Sequence, residues 1–236
     1  MSELRVFAVT GVGAIVDGDD IATIFYDALI AQGESLRDGD VVAVTSKIVA
    51  KAEGRVVAFD GSEGGKIALI EQESRRILRR RGGLRLTETH HGFICANAGI
   101  DLSNTDDNTA VLLPIDPDRS ARRFRGDLMR RSGRDVAVII TDTFGRAWRQ
   151  GVTDVAIGVA GLVPVLDLRG TTDANGRVLE ATEVAVVDEI AATADLVLGK
   201  ASNNPFAVIR GLRPEFFGEG SIRENLVRRA HDDLFR

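Results

Sequence analysis

The chain has one cysteine, Cys95, in 236 residues. That excludes an internal disulfide and any metal site built from several thiolates. Tryptophan and tyrosine occur once each, which leaves no stacking platform for single-stranded nucleic acid. Apolar runs are short, and none approaches the roughly 18 residues of a bilayer span. The opening MSELRVFAVTGVG lacks the basic flank and long apolar segment of a secretory signal, so a cytoplasmic location is expected. Positive charge is not in excess either. The formal net charge is −5, whereas a phosphate backbone rewards a basic face, so neither nucleic acid nor membrane is an expected partner. Lysine is scarcer still: of 30 basic residues only Lys47, Lys51, Lys66 and Lys200 are lysine. A chain that builds its generic positive surface from arginine invites a specific reason for each lysine.

What is present is enough apolar residue for a sizeable core, 44% against 28% charged, which excludes a disordered or fibrous chain. Short apolar runs alternate with amphipathic patterns. The expected fold class is therefore α+β, a mixed α and β chain with several sheets and two intimately packed lobes, forming one catalytic unit over residues 1–236. Strands are expected at 4–9, 40–45, 92–96, 135–140 and from Phe206. Asp19 and Asp20 open a helix to about Ala31, and Asp116-Pro117 opens another to about Arg131. A helix is expected over 66–80, with Ile67, Ile70, Ile77 and Leu78 on one face. Another begins near Val184, and residues 221–230 suggest a closing helix.

Asp101 and Asn104 in GIDLSN, with Asp142 and Thr143 in TDTFGR, supply carboxylate, hydroxyl and amide oxygens beside strands. Such hard donors suit magnesium or manganese, which commonly also hold substrate phosphates. Turn capping by the two aspartates is the competing reading. Asp142 follows an apolar strand directly, where open α/β sheets place their chemistry. In SKIVAK, Ser46 ends a strand and Lys47 and Lys51 sit four residues apart. That pattern suits nucleotide phosphates, although an exposed basic turn has the same spacing, and no GxxxxGK[ST] motif occurs. Gly11-Val12-Gly13-Ala14 reads by default as an ordinary turn. Gly199-Lys200-Ala201-Ser202-Asn203 is a small polar loop with another lysine after a helix. Arg146 and Arg149 could clamp an anionic substrate or simply lie in solvent. His90 and His91 are neighbours that would point apart on a strand, so they make no metal pair. Cys95 reads as core.

Taken in order, LRDGDVVAVTSKIVAKAEGR, NAGIDLSN, LLPIDPDRSA, VAVIITDTFGRAWRQGVTDVAIG, ATEVAVVDEIAATADLVLGK and AVIRGL resemble the γ-glutamyl ligase family of coenzyme F420 biosynthesis. The likeness runs from about Val6 to Gly211. It implies joining of L-glutamate to the lactyl carboxylate of coenzyme F420-0, with GTP and a divalent metal, magnesium or manganese, and potassium as a further candidate ion. One metal would rest on Asp101 and Asp142. A second would sit beside Thr143 and the carbonyl of Leu198. Guanine-nucleotide contacts would fall on Val12, Gly13, Ala14 and Ile15, on Ser46, Lys51 and Asn104, and on Leu196, Val197, Leu198, Gly199, Lys200, Ala201, Ser202 and Asn203. With Asp101 and Asp142, Arg146 is the expected catalytic contributor. Many relatives read Gly-Leu-Pro where this chain has Gly11-Val12-Gly13. A homodimer is implied, and no flavin-binding nitroreductase-like domain is expected. A carboxylate kinase and a guanine-nucleotide sensor without turnover are the rival functions, and no residue in the sequence stands out as a general base.

Overall fold

The computed structural model describes residues 3–102, 108–199 and 202–234. The first half runs β1 (Arg5–Val9), α1 (Ile21–Ala31), β2 (Val41–Thr45), α2 (Ser46–Ala52), β3 (Val56–Ala58) and α3 (Glu63–Gln72). There follow β4 (Ser74–Arg81), β5 (Leu84–Thr89), β6 (Ile94–Ala96), β7 (Thr109–Val111) and α4 (Pro117–Ser132). The remainder is β8 (Ala137–Gly145), β9 (Val152–Ala160), β10 (Leu166–Asp167), β11 (Glu183–Val184), α5 (Val186–Leu198) and β12 (Phe206–Arg210). The architecture is α+β, as expected. Its centre is a five-stranded sheet in the order β1-β12-β2-β8-β9, beside smaller sheets pairing β4-β5-β6, β3-β7 and β10-β11.

The central sheet is antiparallel throughout except for β2 and β8, which pair in parallel from Val41↔Ala137 to Thr45↔Thr141. Val41 to Val44 and Ala137 to Ile140 are fully buried, so these two strands read as continuous apolar runs instead of alternating ones. Helix α1 begins where the Asp20 side chain accepts the N–H groups of Ala22 and Thr23, and it buries Ile21, Ala22, Phe25 and Leu29. Helix α4 has the same economy, with Asp116 capping Arg119 N, Pro117 in its first turn and Gly133 closing it at φ 67°. Phe25 and Phe124 from these helices meet Phe206 of β12, with ring centroids 5.1 to 6.0 Å apart. Aromatic residues make up only 5% of the chain, so this cluster concentrates much of their packing in one place.

The helix expected over 66–80 is not one element. It stops at Gln72, and Ser74–Arg81 is strand β4, paired antiparallel with β5. Two glycines, Gly64 and Gly65, weaken the helix. Arg76 reaches across the hairpin to the 5%-exposed carboxylate of Glu88 at 2.8 Å, a partner that local periodicity cannot show. The expected closing helix is a single π turn over Ile222–Leu226, followed by a 3₁₀ turn at Ala230–Asp232. Cys95 is buried as expected. His90 and His91 lie in the turn after β5, and His91 Nε2 donates to the carbonyls of Pro114 and Ile115. In β9 and the turn after it, Ile157, Val159 and Leu162 are at most 1% exposed and belong to the core. Among the described residues no helix is long and apolar enough to cross a membrane.

Strand β9 ends the sheet order, so one row of its main-chain groups has no neighbouring strand. Two carboxylates cover it. Ala156 N donates to Asp188 Oδ1 at 2.9 Å and Val159 N to Asp118 Oδ1 at 3.0 Å. Asp118 also accepts Ile222 N and Ser221 Oγ, so one side chain at the start of α4 ties the sheet edge to the C-terminal segment. Because these buried donors would be left without a partner, Asp118→Ala is expected to lower the unfolding free energy by about 2 to 4 kcal/mol. Urea titration of the variant against wild type measures this, and a change within about 0.5 kcal/mol would refute the role assigned to Asp118.

Candidate active site

The parallel pairing of β2 with β8 brings two chain segments to one level. Thr45 faces Thr141 in register, so the next residues, Ser46 and Asp142, emerge side by side, and Ser46 Oγ donates to Asp142 Oδ1 at 3.2 Å. From there the segments diverge. At Ser46 the chain turns into α2, whereas β8 continues as strand to Gly145 in a hairpin with β9. Asp142 therefore lies inside a strand and not in a loop beyond one. The hairpin sets Thr143 opposite Asp154. Thr143 Oγ1 donates to Asp154 Oδ1 at 2.6 Å and Thr141 Oγ1 to Asp154 Oδ2 at 3.2 Å.

Asp101 approaches from the opposite direction. Asn97 and Ala98 take left-handed conformations, with φ 51° and 56°. They are held there because Arg85 N donates to Asn97 Oδ1 and Ala98 N to Thr87 Oγ1, each at 2.9 Å. Asp101 then exchanges both main-chain hydrogen bonds with Val111 at 2.9 Å. Its backbone is thus pinned while its carboxylate reaches Lys47 Nζ of α2 at 2.6 Å.

These groups line one cavity of about 680 Å³. Its wall takes in Val12 to Ile15, Ser46, Lys51, Asp101, Asp142 and Thr143, together with Leu198, Gly199 and Asn203. Leu196, Val197 and Ser202 do not line it; Leu196 is 84% exposed, Val197 packs against the core, and Ser202 Oγ donates to the Leu198 carbonyl. Arg146 is exposed between β8 and β9, its guanidinium on the Gln150 carbonyl, and it does not line the cavity. Asn104, Lys200 and Ala201 lie outside the described residues. At Gly13 an added Cβ would meet nothing within 4 Å, so the Gly-Val-Gly loop has room for a larger residue. The wall also holds Asp154 and Asp195, which the sequence reading did not single out. For Asp154 a signal existed: it is the one acid within the strand VTDVAIGVA.

Burial pushes the Asp142 carboxyl up from 3.8 to about 7, and repulsion from Asp154 and Asp101 adds to it; hydrogen bonds from Thr143 N and Ser46 pull the other way. Burial likewise pushes the Cys95 thiol up to about 12, so it is not a thiolate nucleophile near neutral pH. Among the described residues no group of three or more His, Cys, Asp or Glu forms a metal cluster. The donor set nevertheless fits a hard divalent cation of the magnesium type. Such ions take one or two carboxylates, completed by water and phosphate oxygens.

An α+β fold thus gathers carboxylates, hydroxyls and lysines at one cleft. The chain belongs to a family of ligases: the F420-0:γ-glutamyl ligase family model matches residues 11–211. Similar proteins include the coenzyme F420:L-glutamate ligase of Methanothermobacter thermautotrophicus, 41% identical over 99% of both chains. That of Methanopyrus kandleri is 40% identical over 93% of this chain and 92% of its own. That of Archaeoglobus fulgidus is 38% identical over 99% of this chain and 96% of its own.

A carboxyl raised on folding keeps its proton where the unfolded chain has lost it. The metal-free protein should therefore lose stability as pH rises from about 4 to about 7 and level off above. Asp142→Asn carries no such charge. In chelator it should be more stable than wild type at pH 8, with the difference closing below pH 4. Parallel melting curves for the two proteins across this range would refute the buried charge.

Proposed function

We propose that this ligase forms an amide between the amine of L-glutamate and the lactyl carboxylate of coenzyme F420-0, with GTP as phosphoryl donor. The observation that carries the reading is the meeting of oxygen donors from Asp101, Asp142 and Thr143 with Lys47 and Lys51 around one cavity, in a chain of this family. A carboxylate does not condense with an amine in water until one of its oxygens becomes a leaving group. The coenzyme's carboxylate oxygen takes the γ-phosphoryl group and GDP departs. The glutamate amine then attacks the acyl carbon, the C–N bond forms, and the C–O bond to phosphate breaks with loss of the amine proton. A homodimer working in the cytoplasm belongs to the same reading.

The residues divide this work. Asp101, Asp142 and Thr143 would hold divalent cations, whose chemistry is to neutralise charge on the transferring phosphoryl group. Ser46 fixes one oxygen of Asp142 and so orients the other. Lys51, on α2, supplies a compact charge for nucleotide phosphates. Arg146 and Arg149, on the exposed connection between β8 and β9, are positioned for anionic groups that arrive from solvent.

Incubation with coenzyme F420-0, L-glutamate, GTP and manganese should give a product heavier by one glutamyl residue in mass spectrometry. With hydroxylamine in place of glutamate, a hydroxamate of the coenzyme should appear, and not with Asp142→Asn. Phosphorylated coenzyme with no amide under any condition would mark a carboxylate kinase, and GDP binding without phosphate release a sensor. The lysines give a second test. Lys51→Ala should weaken GDP binding by about 1.5 to 3 kcal/mol through loss of a charge-assisted hydrogen bond. Lys66→Ala, in α3 and off the cavity wall, should leave it unchanged. Equal effects in calorimetry would remove Lys51 from the nucleotide site.

A further inference from the structure

Asp154 belongs to none of the residues that the family resemblance assigns, yet it is a buried carboxylate on the cavity wall, 3% exposed. Its position follows from the hairpin. Between Ile140 and Thr141 the β8–β9 register shifts, so that Thr141 faces Ala156 while Thr143 faces Asp154. The two threonine hydroxyls thereby flank one carboxylate: Thr143 Oγ1 donates to Oδ1 at 2.6 Å and Thr141 Oγ1 to Oδ2 at 3.2 Å.

The consequence for Thr143 is chemical. A hydroxyl has one hydrogen and two lone pairs. With its hydrogen committed to Asp154, the Thr143 oxygen has lone pairs as its remaining capacity. It can then receive a cation but cannot donate to a phosphate oxygen. The 2.6 Å separation is that of a charge-assisted bond, which also raises electron density on the threonine oxygen. Outer carboxylates act in this way on metal ligands generally, fixing their orientation and strengthening their basicity.

We propose that Asp154 is a positioning residue that makes Thr143 a ligand for a divalent cation by holding its hydroxyl hydrogen away from the cavity. This rests on Thr143 being a metal ligand in the proposed ligase. A carboxylate that merely staples β8 to β9 would affect stability without selecting between the two faces of Thr143.

The test is a titration of the purified chain with Mn(II) alone, by calorimetry and electron paramagnetic resonance, with no nucleotide, coenzyme or glutamate. Asp154→Ala should weaken the Thr143-dependent Mn(II) site by ~10- to 100-fold, the range found when such outer partners are removed. Asp154→Asn, which keeps an oxygen able to accept from Thr143, should lose less. In a Thr143→Val background the same two substitutions should change Mn(II) affinity by less than about twofold, because the group through which Asp154 acts is gone. Unchanged affinity in Asp154→Ala, or an equal loss in both backgrounds, would overturn the proposal. The second result would mean that Asp154 acts through its charge and not through Thr143. If Asp154→Ala does not fold, Asp154→Asn in the two backgrounds decides, and absence of any Thr143-dependent loss overturns the proposal. Failure to find glutamyl product would sink the ligase reading but leave this titration standing. Wild-type protein without a Thr143-dependent Mn(II) site would sink the present proposal whatever the products.

Discussion

The parallel pairing of β2 with β8 is the constraint on which the site depends. Every other neighbour in the central sheet is antiparallel, and antiparallel neighbours end at opposite levels. Only a parallel pair delivers two carboxyl ends to one place, and here that places Ser46 against Asp142. The energetic support comes from burial. Val41 to Val44 and Ala137 to Ile140 are removed completely from water, at roughly 1.5 to 3 kcal/mol for each large side chain. A one-residue slip would exchange the face of every side chain in the pair and separate the hydroxyl from the carboxylate.

Upon that frame the charges are arranged in opposition. Burial raises the carboxyl of Asp142, and the neighbouring Asp154 and Asp101 add to it. Lys47 already rests on Asp101. The protein thus holds a resident ammonium where a metal ion is proposed, and arrival of the ion would release that ammonium toward whatever anion accompanies it. Lysine at this point, in a chain otherwise built with arginine, sets a compact point charge there in place of a rigid planar fork.

The legible parts of the sequence were those whose signals are local. Asp20 and Asp116-Pro117 announce α1 and α4 because a cap is a matter of a few residues, and the unbroken apolar runs of β2 and β8 announce a buried pair. Strand β4 was read as helix because what makes it a strand is Glu88 on the facing strand, twelve residues beyond Arg76. The extended form of DTFG is nonlocal in the same way, imposed by residues 152–155, paired to it across the hairpin. Ser46, Lys51, Asp101, Asp142 and Thr143 could be picked out by residue type and position, and they do share a cavity. Asp154 could not be given its place, since its relation to Thr141 and Thr143 depends on a register shift that no spacing rule reveals.

The covering of β9 by Asp118 and Asp188 bears on self-association. An exposed sheet edge is a template on which a second copy can add a strand. At Ala156 and Val159 the outward N–H groups are already occupied by carboxylates. A second chain laid along this stretch would have to displace both carboxylates from these N–H groups. At these two positions the margin of the sheet is thereby closed to fibre-like extension.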